Sequence, residues 1–169
     1  MLIRMGAVGF VLVLLVATVT SQTLEDGWSG IKPLMTKKSE VEKKLGIAKS
    51  DSSGYYYDLG NGIVVRLNYS STPCTPVHYE RAKYRIPKDT VLDYVVYFND
   101  PTLFSNLRFN RADYTRRVSD HRPTEFVLVN AKAGVMIVGY YRQDIVGEYV
   151  GTIYFKPSSR LKEKLRCKS

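Results

Sequence analysis

The stretch that decides the fold is Tyr55-Tyr56-Tyr57-Asp58-Leu59-Gly60-Asn61-Gly62-Ile63-Val64-Val65-Arg66-Leu67-Asn68-Tyr69. Two runs rich in aromatic and β-branched residues flank Gly60-Asn61-Gly62, whose members tolerate positive φ. That pattern predicts a hairpin with strands over 55–59 and 63–69. The same grammar returns downstream. Thr90 to Phe98 predicts a strand that Asp100-Pro101 ends. Glu125 to Asn130 and Val135 to Tyr141 predict strands around Ala131-Lys132-Ala133-Gly134, and Tyr149 to Lys156 predicts another, ended by Pro157. A shorter strand is expected within Ala82 to Ile86, before a turn at Pro87-Lys88-Asp89. The hairpin and strand at 55–98 are echoed at 125–156. The expected domain therefore runs over 31–169 and offers two related halves, 31–98 and 102–169.

Helices frame these strands. Thr36 to Gly46 reads as a helix with Thr36 as N-cap and Gly46 past the last turn, and Val41 and Leu45 share one face. A second helix is expected over Arg160 to Arg166, capped by Ser158 or Ser159, with Leu161 and Leu165 at i, i+4. Thr102 to His121 carries no clear period, although Leu103, Phe104, Leu107 and Phe109 allow a helical turn. The expected class is α+β: an antiparallel sheet of two hairpin-plus-strand units, a helix near the N-terminus and a short C-terminal helix.

The first residues carry an address. Arg4, an apolar run from Ala7 to Val16, and small residues Val19 and Ser21 ahead of Gln22 have the build of a secretory signal peptide over 1–21. The run is short for a membrane span, which needs about 20 apolar residues. The expectation is a secreted or periplasmic protein without a transmembrane anchor after cleavage. Residues 22–30 read as a flexible lead that Trp28 and Ile31 dock onto the domain. In an oxidising compartment, Cys74 and Cys167 suggest one disulfide, with two free thiols as the alternative.

The formal charge of +9 favours anionic partners, either an acidic protein or an envelope polymer; nucleic acid is not expected. The plainer reading is that the charge only keeps the protein soluble. Basic residues are densest at Lys37-Lys38, Lys43-Lys44, Arg81 to Lys88 and Arg160 to Lys168. Arg81, Lys83 and Arg85 alternate, so a strand would put all three on one face. With Tyr79 and Lys88 they form the candidate binding surface, although a charged edge strand guarded against aggregation explains the same residues. The 13 tyrosines, six phenylalanines and one tryptophan read first as strand packing, and second as a stacking platform.

Signs of catalysis are thin. The chain has no Gly-x-Ser-x-Gly, His-Glu-x-x-His, phosphate-binding Gly loop or Cys-x-x-Cys. Its two histidines, His78 and His121, lack metal-ligand spacing, so no metal and no cofactor is expected. Either could serve as a general base in a small secreted hydrolase, but a solvated loop histidine accounts for each. Asp89 reads as a turn cap and Asp93 as a solvent-facing strand residue.

The series Gly27-Trp28-Ser29-Gly30-Ile31-Lys32-Pro33-Leu34, then Ser39-Glu40-Val41-Glu42-Lys43-Lys44-Leu45-Gly46, then Pro87-Lys88-Asp89-Thr90-Val91 and Leu165-Arg166-Cys167 resembles a group of uncharacterised secreted bacterial proteins. That resemblance spans nearly all of the chain after 21 and implies no known activity. The group carries extra cysteines ahead of the first hairpin strand. Lys49 to Gly54 has none, which leaves Cys74 and Cys167 to each other. Residues 31–69 also resemble, at the level of fold, the small outer-membrane assembly lipoproteins and the β-lactamase inhibitor fold. The lipoproteins need an acylated Cys at the cleavage site, and none follows Ser21. The expected function is an exported, non-catalytic interaction module meeting an anionic partner through a basic face. The alternatives are a hydrolase using His78 or His121, or a secreted enzyme inhibitor.

Overall fold

The computed structural model describes residues 23–52, 54–76, 83–118, 122–142 and 147–167. One antiparallel sheet of eight strands dominates, with helices near its N-terminal and C-terminal ends. In chain order the elements are α1 (Lys38–Leu45), β1 (Lys49–Asp51), β2 (Gly54–Asp58), β3 (Ile63–Tyr69), β4 (Thr75–Pro76), β5 (Lys83–Tyr84), β6 (Val91–Leu103), β7 (Thr115–Val118), β8 (Glu125–Asn130), β9 (Val135–Tyr141), β10 (Glu148–Phe155) and α2 (Ser159–Leu165). The order across the sheet is β1-β2-β3-β6-β10-β9-β8-β7, with β4 and β5 forming a separate pair.

The predicted hairpin is β2–β3, with Tyr55 opposite Leu67 and Asp58 opposite Val64. Gly60, Asn61 and Gly62 all take positive φ, as that turn requires. The two hairpin-bearing halves meet at the centre, where β6 lies between β3 and β10. β6 runs past Asp100-Pro101 to Leu103 instead of stopping there. Its pairing with β10 lapses between Tyr97 and Thr102, opposite a register shift at Val150/Thr152. Pro101 falls in that gap, where its missing N–H breaks no ladder bond.

Alternation assigns the strands' side chains to two faces. Tyr57, Val65, Leu67, Tyr94, Val96, Phe126, Leu128, Ile137, Ile153 and Phe155 point to one face and are buried. The chain covers that inner face itself. Trp28 meets Phe98 edge-on at 5.5 Å between ring centroids, and Ile31 and Val41 are fully buried. Tyr94 ties this arm down: its hydroxyl donates to the Ile31 carbonyl at 2.7 Å and accepts from the Trp28 N–H at 2.9 Å. Burial pushes its phenol pKa well up, so it stays a neutral donor. Over β8 and β9 the cover is the 104–114 segment. Phe104 packs on Phe126 above Gly139, where a side chain would collide with both rings.

The lead at 23–30 is packed onto this layer. Leu24 is buried and donates its N–H to the Arg108 carbonyl, and Glu25 accepts from the Tyr114 hydroxyl. α1 starts one residue later than the Thr36 cap predicts, at Lys38 with Lys37 in the cap position. Thr36 is buried, and its Oγ1 accepts from the Lys32 N–H, closing the preceding turn. The cap role falls to Glu40, whose carboxylate accepts from the Lys37 N–H at 2.8 Å. At α2, Ser158 Oγ accepts from the Leu161 N–H as expected.

A second, smaller core gathers Leu34, Tyr84, Ile86 and Leu92 with Leu161 and Leu165 of α2. The disulfide seals it. Cys74 and Cys167 are bonded with Cα atoms 5.9 Å apart, across a sequence separation of 93.

Candidate functional site

Lys83 and Arg85 lie on the exposed side of the β5 segment, with Tyr84 and Ile86 buried between and after them. That is the alternation the sequence implied. The segment is held by the C-terminal tail: Arg85 donates its N–H to the Leu165 carbonyl, and Cys167 donates its N–H to the Lys83 carbonyl. Lys88 sits exposed in the turn that follows. Tyr79 and Arg81, and both histidines His78 and His121, lie outside the described residues. Of the five candidate binding residues, the structure brings Lys83 and Arg85 onto one face.

Two aspartates have definite places. Asp93 is buried rather than solvent-facing, and its Oδ1 accepts from Asn68 Nδ2 at 2.6 Å, which satisfies part of the carboxylate away from water. Asp89 takes positive φ in the turn; its N–H donates to the Ser70 carbonyl, and its carbonyl accepts from the Lys38 N–H.

A concavity of ligand size lies elsewhere. A groove of about 350 Å³ opens between the N-terminal arm and α2. Leu24, Ile31, Val135, Phe155 and Leu161 form its floor, and Lys32, Lys156, Arg160 and Lys164 stand around it, with Glu25 the one carboxylate. Lys32 is paired to Asp26 at 3.2 Å. Met35, with 58% of its surface exposed, extends the apolar lining outward. An apolar floor inside a cationic rim suits an anionic ligand that also carries an apolar group.

A second concavity, of about 580 Å³, is lined by Leu103, Phe104, Leu107, Phe109, Arg111 and Glu148 among others. Its charges are already spent on each other. Glu148 pairs with Arg111 at 2.7 Å and Arg116 at 2.8 Å, and accepts from the Tyr141 hydroxyl at 2.9 Å. The Arg111 bond, reinforced by Arg116 and Tyr141 against partial desolvation, pulls the Glu148 carboxyl down to about 2. Arg116 also lies 4.0 Å over the Phe126 ring. This knot fastens β7, β9 and β10 over the inner core and has the look of a structural clasp.

Among the described residues, no group of three or more His, Cys, Asp or Glu is placed to hold a metal ion. No protein-family model, no curated protein and no solved structure matches this chain.

The sequence pointed to the basic stretch Arg160 to Lys168 only as a dense run of charge. The groove escaped it because its lining comes from 24–35, 133–135 and 155–164, three segments that meet only in the folded sheet.

Proposed function

We propose that the protein is an exported, non-catalytic binding module whose partner is an acidic protein segment carrying an apolar side chain. The observation that carries this reading is the groove beside α2, where a buried apolar floor lies within reach of Lys32, Lys156, Arg160 and Lys164. The charge of the whole chain, +9, favours the same sign of partner at longer range. Export rests on the signal-peptide pattern at 1–21. It is supported by the Cys74–Cys167 bond.

The test is fluorescence anisotropy with a labelled peptide of alternating glutamate and leucine, beside the same peptide with lysine in place of glutamate. The acidic peptide is expected to bind saturably and to weaken as salt rises. The Arg160→Glu/Lys164→Glu chain, checked for an unchanged circular dichroism spectrum, is expected to bind roughly tenfold more weakly. Equal binding by both chains would overturn the groove. A loss carried instead by Lys83→Glu/Arg85→Glu would move the site to the β5 face.

A further inference from the structure

The wall of the groove that α2 supplies is held at both ends. At its start, Pro157 is buried, the Lys156 N–H donates to the Gly134 carbonyl at 2.8 Å, and Ser158 caps the first turn. At its end, the Cys167 N–H donates to the Lys83 carbonyl at 2.9 Å, and Cys167 Sγ is bonded to Cys74. Between the ends the hold is slight. α2 buries no residue completely. Leu161 and Leu165 are its half-buried contacts with the second core, and Leu161 also lines the groove. Arg160 and Lys164, at i, i+4, are a like-charge pair that subtracts from helix stability. A helix as short as Ser159–Leu165 does not hold together in water unaided.

The far anchor is itself peripheral. β5 bonds to β4 and to the C-terminal tail, outside the eight-stranded sheet. Two such short strands are marginal as a pair alone. Cys74 stands directly before β4, at the end of a loop whose base is fixed. Ser70 is buried there; its Oγ donates to the Pro87 carbonyl at 2.6 Å and accepts from the Thr90 N–H at 3.0 Å. The disulfide therefore ties the far end of α2 to the chain that leads into β6. Both cysteines are half-exposed, so a thiol can reach them.

We infer that the groove is redox-gated: reduction of Cys74–Cys167 by a dithiol releases α2 and takes away one wall of the site, while the main sheet stays folded. A thiolate of the dithiol attacks one sulfur, the S–S bond breaks, and a mixed disulfide forms. The second thiolate then closes the dithiol's own disulfide. Two electrons and two protons pass to the chain, which is left with two thiols. With the bond intact, an α2 that lifts off the fold is still a closed loop from Pro157 to Cys167. Without the bond the same segment is a free tail. Losing the closure of a loop of roughly ten residues lowers the docked-to-released ratio on the order of 100-fold. By reciprocity, an acidic ligand that needs α2 docked favours the disulfide. The gating of binding rests on the groove being the binding site; the release of α2 does not.

Hydrogen exchange by mass spectrometry on the purified protein, oxidised and in excess dithiothreitol, reads the release. Amides of 157–167 are expected to exchange faster after reduction, while β8, β9 and β10 stay protected and circular dichroism keeps its sheet signal. Anisotropy with the glutamate–leucine peptide reads the loss of affinity in the same two states. The fold gain in exchange and the fold loss of affinity should multiply to on the order of 100, because one docking equilibrium sets both. Cys74→Ser/Cys167→Ser without reductant should match the reduced chain in both readouts. Exchange at 157–167 that neither reduction nor the double substitution changes would overturn the gating. So would a reduced chain that loses its sheet, or equal peptide binding by the oxidised and reduced states. An oxidised chain that binds no peptide would count instead against the groove as binding site, and exchange would still decide whether α2 is released.

Discussion

The inner and outer faces of the sheet are made by the same strands and end differently. On β9, Ile137 points inward and is fully buried, while its neighbour Val138 points outward and is only half-buried. On β8, Phe126 is fully buried and Val127 is not. Both faces are apolar, so hydrophobicity does not separate them. What separates them is cover. The chain folds its N-terminal arm, α1 and the 104–114 segment onto the inner face. A strand pattern alone thus cannot tell a face that the chain buries fully from one that it leaves half-buried.

The largest effect should come from Phe126, whose ring packs at a tilt against Phe104 and carries Arg116 above it. Phe126→Ala is expected to cost about 3–5 kcal/mol, by lost transfer energy plus a cavity. Val127→Ala, one residue along, should cost less than about 1 kcal/mol in dilute protein, because its site never leaves water fully. Urea unfolding of the two chains reads the difference, and equal costs would break the distinction between the faces.

The disulfide extends the comparison to the end of the inner layer. Cys74→Ser/Cys167→Ser removes a cross-link over 93 residues and should cost about 2–5 kcal/mol. If α2 and β5 stay in place through the second core alone, the loss will sit at the low end. Thermal unfolding with and without reductant measures it.

The smallest of the three effects concerns the clasp at Glu148. Its carboxyl is held at about 2 in the folded protein, against about 4.3 in an unfolded chain. A lowered folded value stabilises the native state above the unfolded pKa, and that contribution is lost as pH falls from about 4.3 towards 2. Glu148→Gln should cost about 1–2 kcal/mol at neutral pH and flatten the loss of stability across that acid window. Unfolding midpoints taken at neutral pH and through the window check both parts; a variant as acid-sensitive as the parent would remove Glu148 from the account.

Much of the sheet was legible. The triplet Gly60-Asn61-Gly62 located the hairpin turn, and strands over 125–130 and 135–141 ended where turn residues said they would. The missed strands are the outermost ones. β1 and β7 expose every residue, so their sequences, Lys-Ser-Asp and Thr-Arg-Arg-Val, carry no alternation to read. Polar edges of that kind also discourage stray pairing. β6 outran its Pro101 because its partner strand skips a register there. The basic stretch around Lys83 and Arg85 was legible as a face, since alternation is local. The groove was not, because Lys32, Lys156 and Lys164 come together only after the arm and α2 have docked.

The most direct test sets two neighbours on β9 against each other. Ile137→Lys and Val138→Lys introduce the same charge one residue apart, on opposite faces of one strand. Circular dichroism with urea titration of both chains in dilute solution is the measurement. The account predicts that Ile137→Lys does not fold, while Val138→Lys folds and unfolds near the dilute wild-type midpoint. An unfolded Val138→Lys, or a stable Ile137→Lys, would contradict it.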